Sequence, residues 1–128
     1  MNETQIIQQQ LVTEHEHFTE VASIAEAALS GPVPAPALLT ACTDYFAFAV
    51  TRFTPRVFET LATQLAAGLN AEFLRAFAEA ARVHYAQIDP LLARNLPVTE
   101  WRALSRIDAD SIFAERARYA RVKESIST

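Results

Sequence analysis

Apolar residues recur every three or four positions between residues 4 and 29: Ile7, Leu11, Phe18, Ala22, Ala25 and Leu29. At about 100° per residue they gather on one helical face, with Thr13, Glu16 and Glu20 opposite, toward water. The pattern predicts a first helix. Ser30-Gly31-Pro32 stops it, and Pro32-Val33-Pro34-Ala35-Pro36 reads as a stiff connector between helices. A second helix is predicted from Pro36 or Ala37 to Phe53, with Leu38, Cys42, Tyr45, Phe46, Ala49 and Phe53 inward. Leu39, Phe48 and Val50 widen its apolar arc, as expected of a central helix or one that also touches a second chain.

Thr54-Pro55 pairs a capping residue with proline at a first helical position and opens a third helix carrying Val57, Phe58, Leu61 and Leu65. Gly68 ends it. Asn70 can cap a fourth helix with Phe73, Phe77, Ala80, His84 and Ile88 in one stripe and Arg75 and Arg82 on the far side. Asp89-Pro90 repeats the cap-plus-proline signal, so this helix is expected to kink or restart before Leu91, Leu92 and Asn95. Leu96-Pro97 begins a short piece holding Trp101 and Leu104. Asp108 or Asp110 then caps a last helix with Ile112, Tyr119, Val122 and Ile126 inward. The expectation is all-α: one helical domain over residues 1–128, a bundle of four long helices with one or two short ones.

Composition narrows this further. Half of the 128 residues are hydrophobic (51%), enough for one core and too many for a disordered chain. Two glycines cannot supply the turns of a β-sandwich. The single cysteine, Cys42, excludes an internal disulfide and a cysteine zinc finger, and on an apolar face it is expected to be an inert buried thiol. Net charge is −4, which argues against a nucleic-acid binder. Its distribution is uneven: residues 1–51 hold six acids and no lysine or arginine, whereas residues 52–128 hold nine acids and all 11 basic residues. The two halves can attract each other within one bundle or between copies; differently charged solvent faces are the plainer account. Arg116, Arg118, Arg121 and Lys123 make the last helix basic, as the helix dipole favours. The N-terminus has no basic residue ahead of its first apolar pair, unlike a secretory or mitochondrial leader. The longest charge-free stretch is broken by three prolines and cannot span a membrane. A cytoplasmic protein with no membrane or nucleic-acid partner is expected.

The candidate chemistry rests on three histidines. Glu14 and His17 are three apart, hence on one helix side, a spacing that helical metal–carboxylate sites use. Glu14 and His15 lie inside the apolar stripe, with His17 on its flank, and His84 sits in the stripe of the fourth helix. If these stripes meet, Glu14, His15, His17 and His84 can supply one carboxylate and two imidazoles to a metal. A direct Glu14–His84 hydrogen bond would satisfy both groups without one. Either version requires the first and fourth helices side by side.

A first-helix histidine followed by Phe18, with His84-x4-Asp89 later, resembles the hemerythrin-like bundle. That family holds iron with histidines and carboxylates, and the resemblance implies a degenerate member that has lost the oxygen-carrying di-iron site. The middle helices of that family contribute His-x3-Glu and His-x3-His; here the corresponding region shows Tyr45, Phe46, Phe48 and Phe53. The run Asp44-Tyr45-Phe46-Ala47-Phe48-x4-Phe53, followed by Thr54-Pro55-Arg56, is similar to the aromatic-rich helices of haem-oxygenase-like proteins.

The function expected first is a small acidic binding or interaction bundle, non-catalytic and without a cofactor. It would self-associate as a homodimer, or bind a protein partner, through residues 38–53, with the Trp101 segment beside them. The alternative is a metal-binding bundle using iron or another divalent metal for oxygen or redox chemistry. A third is a small-ligand pocket among Tyr45, Phe48, Phe77 and His84. Whether the chain is an enzyme is left open by these residues.

Overall fold

The computed structural model describes residues 2–31, 35–105 and 109–127. Among them the chain is all-α and contains no strand. Six helices form: α1 (Glu3–Ser30), α2 (Pro36–Ala49), α3 (Pro55–Ala66), α4 (Ala71–Ile88), α5 (Val98–Ser105) and α6 (Ala109–Ser127). Short 3-10 turns, Val50–Arg52 and Asp89–Ala93, follow α2 and α4. Four helices have 14 residues or more, and α3 and α5 have 12 and 8.

The helix boundaries follow from local chemistry. Asn2 and Gln5 cap α1 reciprocally, each side chain accepting from the other's backbone N–H. Asn70 caps α4 as expected, its Oδ1 accepting from the Phe73 N–H at 2.9 Å. Thr54 stands at the cap position of α3, but its hydroxyl makes no capping bond; the fixed φ of Pro55 opens that helix. Past α3, Gly68 adopts φ +121°, a backbone region that side-chain-bearing residues avoid. Asp89-Pro90 ends α4 in a 3-10 turn rather than restarting an α-helix. Asp110 lies inside the first turn of α6, and Asp108, the other expected cap, falls outside the described residues.

α1 packs along α4 and also meets α2, α5 and α6, while α2 lies against α6 and α3 against α4. The main core joins Phe18, Val21 and Ala25 of α1 to Cys42, Tyr45, Phe46 and Ala49 of α2 and to Phe73, Leu74, Phe77 and Ala81 of α4. Its aromatic rings meet edge to face, with Phe46 at 4.8 Å from Phe77 and 5.3 Å from Phe73. A smaller cluster closes the other end, where Trp101 of α5 seats against Ile7, Leu11 and Ile88.

The expected phases need three corrections. α4 turns Leu74 and Ala81 inward and leaves Ala80 and His84 half-buried. Phe58 and Ile126, expected inward, are 37% and 50% exposed. α2 stops at Ala49, yet the following 3-10 turn still delivers Phe53 to the core and carries Arg52 in with it. The broad apolar arc of α2 is covered within the chain, chiefly by α6, and Trp101 is fully buried. Leu38, Leu39 and Phe48 on the flanks of that arc stay half-buried.

Candidate functional site

Among the described residues three charged side chains are buried: Glu14 of α1, Arg52 after α2, and Glu115 of α6. Burying an ion is costly unless a counter-charge or hydrogen bond comes with it, and here each has one. Arg52 Nε lies 2.9 Å from Glu14 Oε1, an ion pair offset from hydrogen-bond alignment. Glu115 Oε1 sits 2.6 Å from His17 Nδ1 and accepts from the Tyr45 hydroxyl at 3.0 Å. The cluster thus spans α1, α2, the first 3-10 turn and α6.

Its electrostatics follow from burial. Desolvation pushes the Glu14 carboxyl up to about 7, the nearby Glu115 charge adds to this, and Arg52 and His17 oppose it. Burial first, then the Glu115 charge, raises the Tyr45 phenol far above its ordinary range, so it donates as a neutral hydroxyl. The His17 ring stacks on Tyr119 at 3.7 Å. Tyr119 donates to Glu20, which Lys123 also reaches, and burial together with Glu20 raises the Tyr119 phenol to about 12.

α1 and α4 do lie side by side, as the sequence pattern required. Glu14, His15 and His84 line one small cavity of about 10 Å³ together with Leu11, Phe18, Tyr85 and Ile88. Inside that arrangement the partners differ from those expected. Glu14 has Arg52 as its counter-charge, His15 stacks on Tyr85 at 4.2 Å, His17 turns to Glu115, and the His84 ring meets Phe53 edge-on at 5.7 Å. Burial lowers the His15 pKa, against a smaller upward pull from Glu16. Among the described residues no group of three His, Cys, Asp or Glu side chains is placed to hold a metal ion. Asp89, the carboxylate of the His-x4-Asp pattern, is exposed in its 3-10 turn.

The four residues expected around a ligand pocket are dispersed. Tyr45 and Phe77 lie in the packed core, and Phe48 lies beneath the guanidinium groups of Arg52 and Arg118, at 5.2 and 4.8 Å from its ring centre. Arg52 and Glu115 were not foreseen, although a signal existed for both. Arg52 is seven residues past Tyr45 and three past Ala49; Glu115 is three past Ile112 and seven before Val122. Each is a charge in phase with an apolar stripe, which demands a buried partner.

The open space lies elsewhere. A groove of about 480 Å³ runs between α1 and α4. Phe18, Leu74, Phe77 and Ala81 form its floor, and small residues (Ala22, Ala71, Ala78) keep it open. His15, Thr19, Ser23 and Glu26 edge it along α1, with Arg75 and Arg82 along α4. Arg82 is bridged to Glu79 at 2.6 Å, whereas Arg75 and Glu26 make no ion pair among the described residues. No helix among the described residues is long and apolar enough to cross a membrane. Comparison with known protein families, curated proteins and solved structures finds no match to this chain.

Proposed function

We propose that this chain is a non-catalytic binding protein that holds a small amphipathic ligand in the groove between α1 and α4. One observation carries the reading: among the described residues the groove is more enclosed than the two wider, shallower clefts, and it offers about 480 Å³ with an apolar floor and a polar rim, within the range of small-molecule sites. The interior charges, by contrast, are committed to one another and belong to the fold. A cytoplasmic location with a reduced Cys42 is part of the same proposal. Filling the groove tests it. Ala78→Trp, at an exposed position on the groove wall, is expected to abolish binding of an apolar reporter dye while leaving the unfolding midpoint nearly unchanged. Undiminished dye binding by a folded variant would place the site elsewhere.

The cavity shared by Glu14, His15 and His84 favours a second reading, a divalent-metal bundle. Elemental analysis of purified protein decides it. Near-stoichiometric iron, manganese or zinc, lost in both Glu14→Ala and His84→Ala, would put the metal role first; metal-free protein would dismiss it.

A further inference from the structure

The groove between α1 and α4 has a definite arrangement of charge. The two helices run antiparallel: His15 stacks on Tyr85, while Phe18, further along α1, meets Phe77, earlier in α4, at 5.8 Å. Glu26, near the end of α1, and Arg75, near the start of α4, therefore line the groove toward the same end, one on each wall. Neither makes an ion pair among the described residues, with the other or with any further group. The remaining rim groups add no free charge. Arg82 donates to Glu79 of its own helix twice, at 2.6 and 3.3 Å. Burial holds the His15 imidazole below its ordinary pKa, so it is predominantly neutral at pH 7. Between the two ends the floor is apolar, formed by Phe18, Leu74, Phe77 and Ala81. The lining residues of α4 run from Ala71 to Arg82, about 16 Å at 1.5 Å per residue.

We propose that the occupant is a zwitterion with one tail: an α-amino carboxylate on an extended apolar chain. Its carboxylate meets Arg75, its ammonium meets Glu26, and its tail lies along the floor toward His15. This inference rests on the groove being the binding site and names the ligand that site would take. Charge complementarity selects the head. One unpaired cation and one unpaired anion flank the same end, so an anion and a cation are wanted there side by side. A fatty acid would satisfy Arg75 but set its carboxylate beside Glu26. An alkylamine would satisfy Glu26 but set its ammonium beside Arg75. In the open groove water solvates both side chains. Once an apolar tail covers the floor and displaces that water, a charge left without its opposite is penalised. The planar guanidinium of Arg75 also matches the geometry of a carboxylate. The length of the groove selects the tail, since a compact side chain would leave the floor near His15 wet.

A matched series of probes tests this, because α-aminodecanoate, decanoate and decylamine share a tail length and differ in the head. Titration calorimetry at neutral pH is expected to show the unaltered chain binding α-aminodecanoate about ten-fold tighter than either of the others. Glu26→Gln should weaken α-aminodecanoate and decylamine and tighten decanoate. Arg75→Gln should weaken α-aminodecanoate and decanoate and tighten decylamine. Both positions are exposed, so the variants keep the fold. Damage to the fold would weaken all three probes together and could not produce the crossed gain. Equal binding of the three heads, a preference for decanoate or decylamine, or loss of the crossed pattern overturns the proposal. Dye binding that Ala78→Trp abolishes, with none of the three probes bound, also overturns it and leaves the groove standing. Dye binding unaffected by Ala78→Trp removes the groove reading itself, and this inference with it.

Discussion

At position 14 a carboxylate replaces what the surrounding stripe would fill with leucine, and its charge state sets a measurable pH dependence. A carboxyl whose folded-state pKa is raised costs nothing below about pH 4.5, where it is protonated in both states. The cost grows as pH rises to about 7 and is constant beyond. The shift from 4.5 to about 7 corresponds to a penalty of about 3 kcal/mol. Glu14→Gln is expected to lower the baseline, because Arg52 loses its counter-charge, yet to remove this part of the decline. Urea unfolding from pH 4 to 8 measures both, and parallel curves for the two proteins would contradict a buried, proton-linked Glu14. The same pair predicts strong coupling. Arg52→Met should destabilise by about 3 to 5 kcal/mol by stranding Glu14, whereas Arg52→Met combined with Glu14→Leu should recover much of the loss. Gly68 gives a cleaner case. A Cβ there would meet nothing within 4 Å, so only its φ of +121° opposes a side chain. Gly68→Ala should cost about 1 kcal/mol or more through the backbone alone.

Elements differ in how they are anchored, and among the described side chains of α5 the buried one is Trp101. Trp101, the single tryptophan, is fully buried against Ile7, Leu11 and Ile88, and its Nε1 makes no hydrogen bond among the described residues. The site is therefore apolar and packed. Trp101→Ala should cost about 3 to 5 kcal/mol, with Trp101→Phe costing less, and native emission should be blue-shifted and inaccessible to iodide. A red-shifted, quenchable tryptophan would detach α5 from α1. Within α2, Cys42 lies in the core and burial raises its thiol to about 11. It should react with a thiol reagent only as fast as the covering structure opens. The 3-10 turn after α2 shows why helix ends are hard to place from a pattern. Tightening from 3.6 to about 3 residues per turn kept Phe53 inward while shortening the α-helix to Ala49.

For the whole molecule, periodicity and breakers carried most of the fold: the all-α class, the stops at Gly31 and Gly68, the cap at Asn70, and the side-by-side packing of α1 with α4. Apart from the α1–α4 packing, which the buried polar positions only suggested, these depend on neighbours three or four residues apart, so the order of residues alone determines them. The uneven charge was also visible, and the ion pairs of Lys123 with Glu20 and of Arg102 with Glu3 show it acting between the two halves. What covers what was not visible. The wide arc of α2 looked like a surface awaiting a second chain, and whether α6 or another copy closes it depends on where the last helix returns in space. The counter-charge of Glu14 was hidden for a related reason. His84 does share a small cavity with Glu14 and His15, but a buried carboxylate takes whichever cation the fold delivers, and the turn after α2 delivers Arg52. A stripe determines that a side chain is buried. Contacts between residues far apart in sequence decide what it is buried against, and no local spacing encodes them.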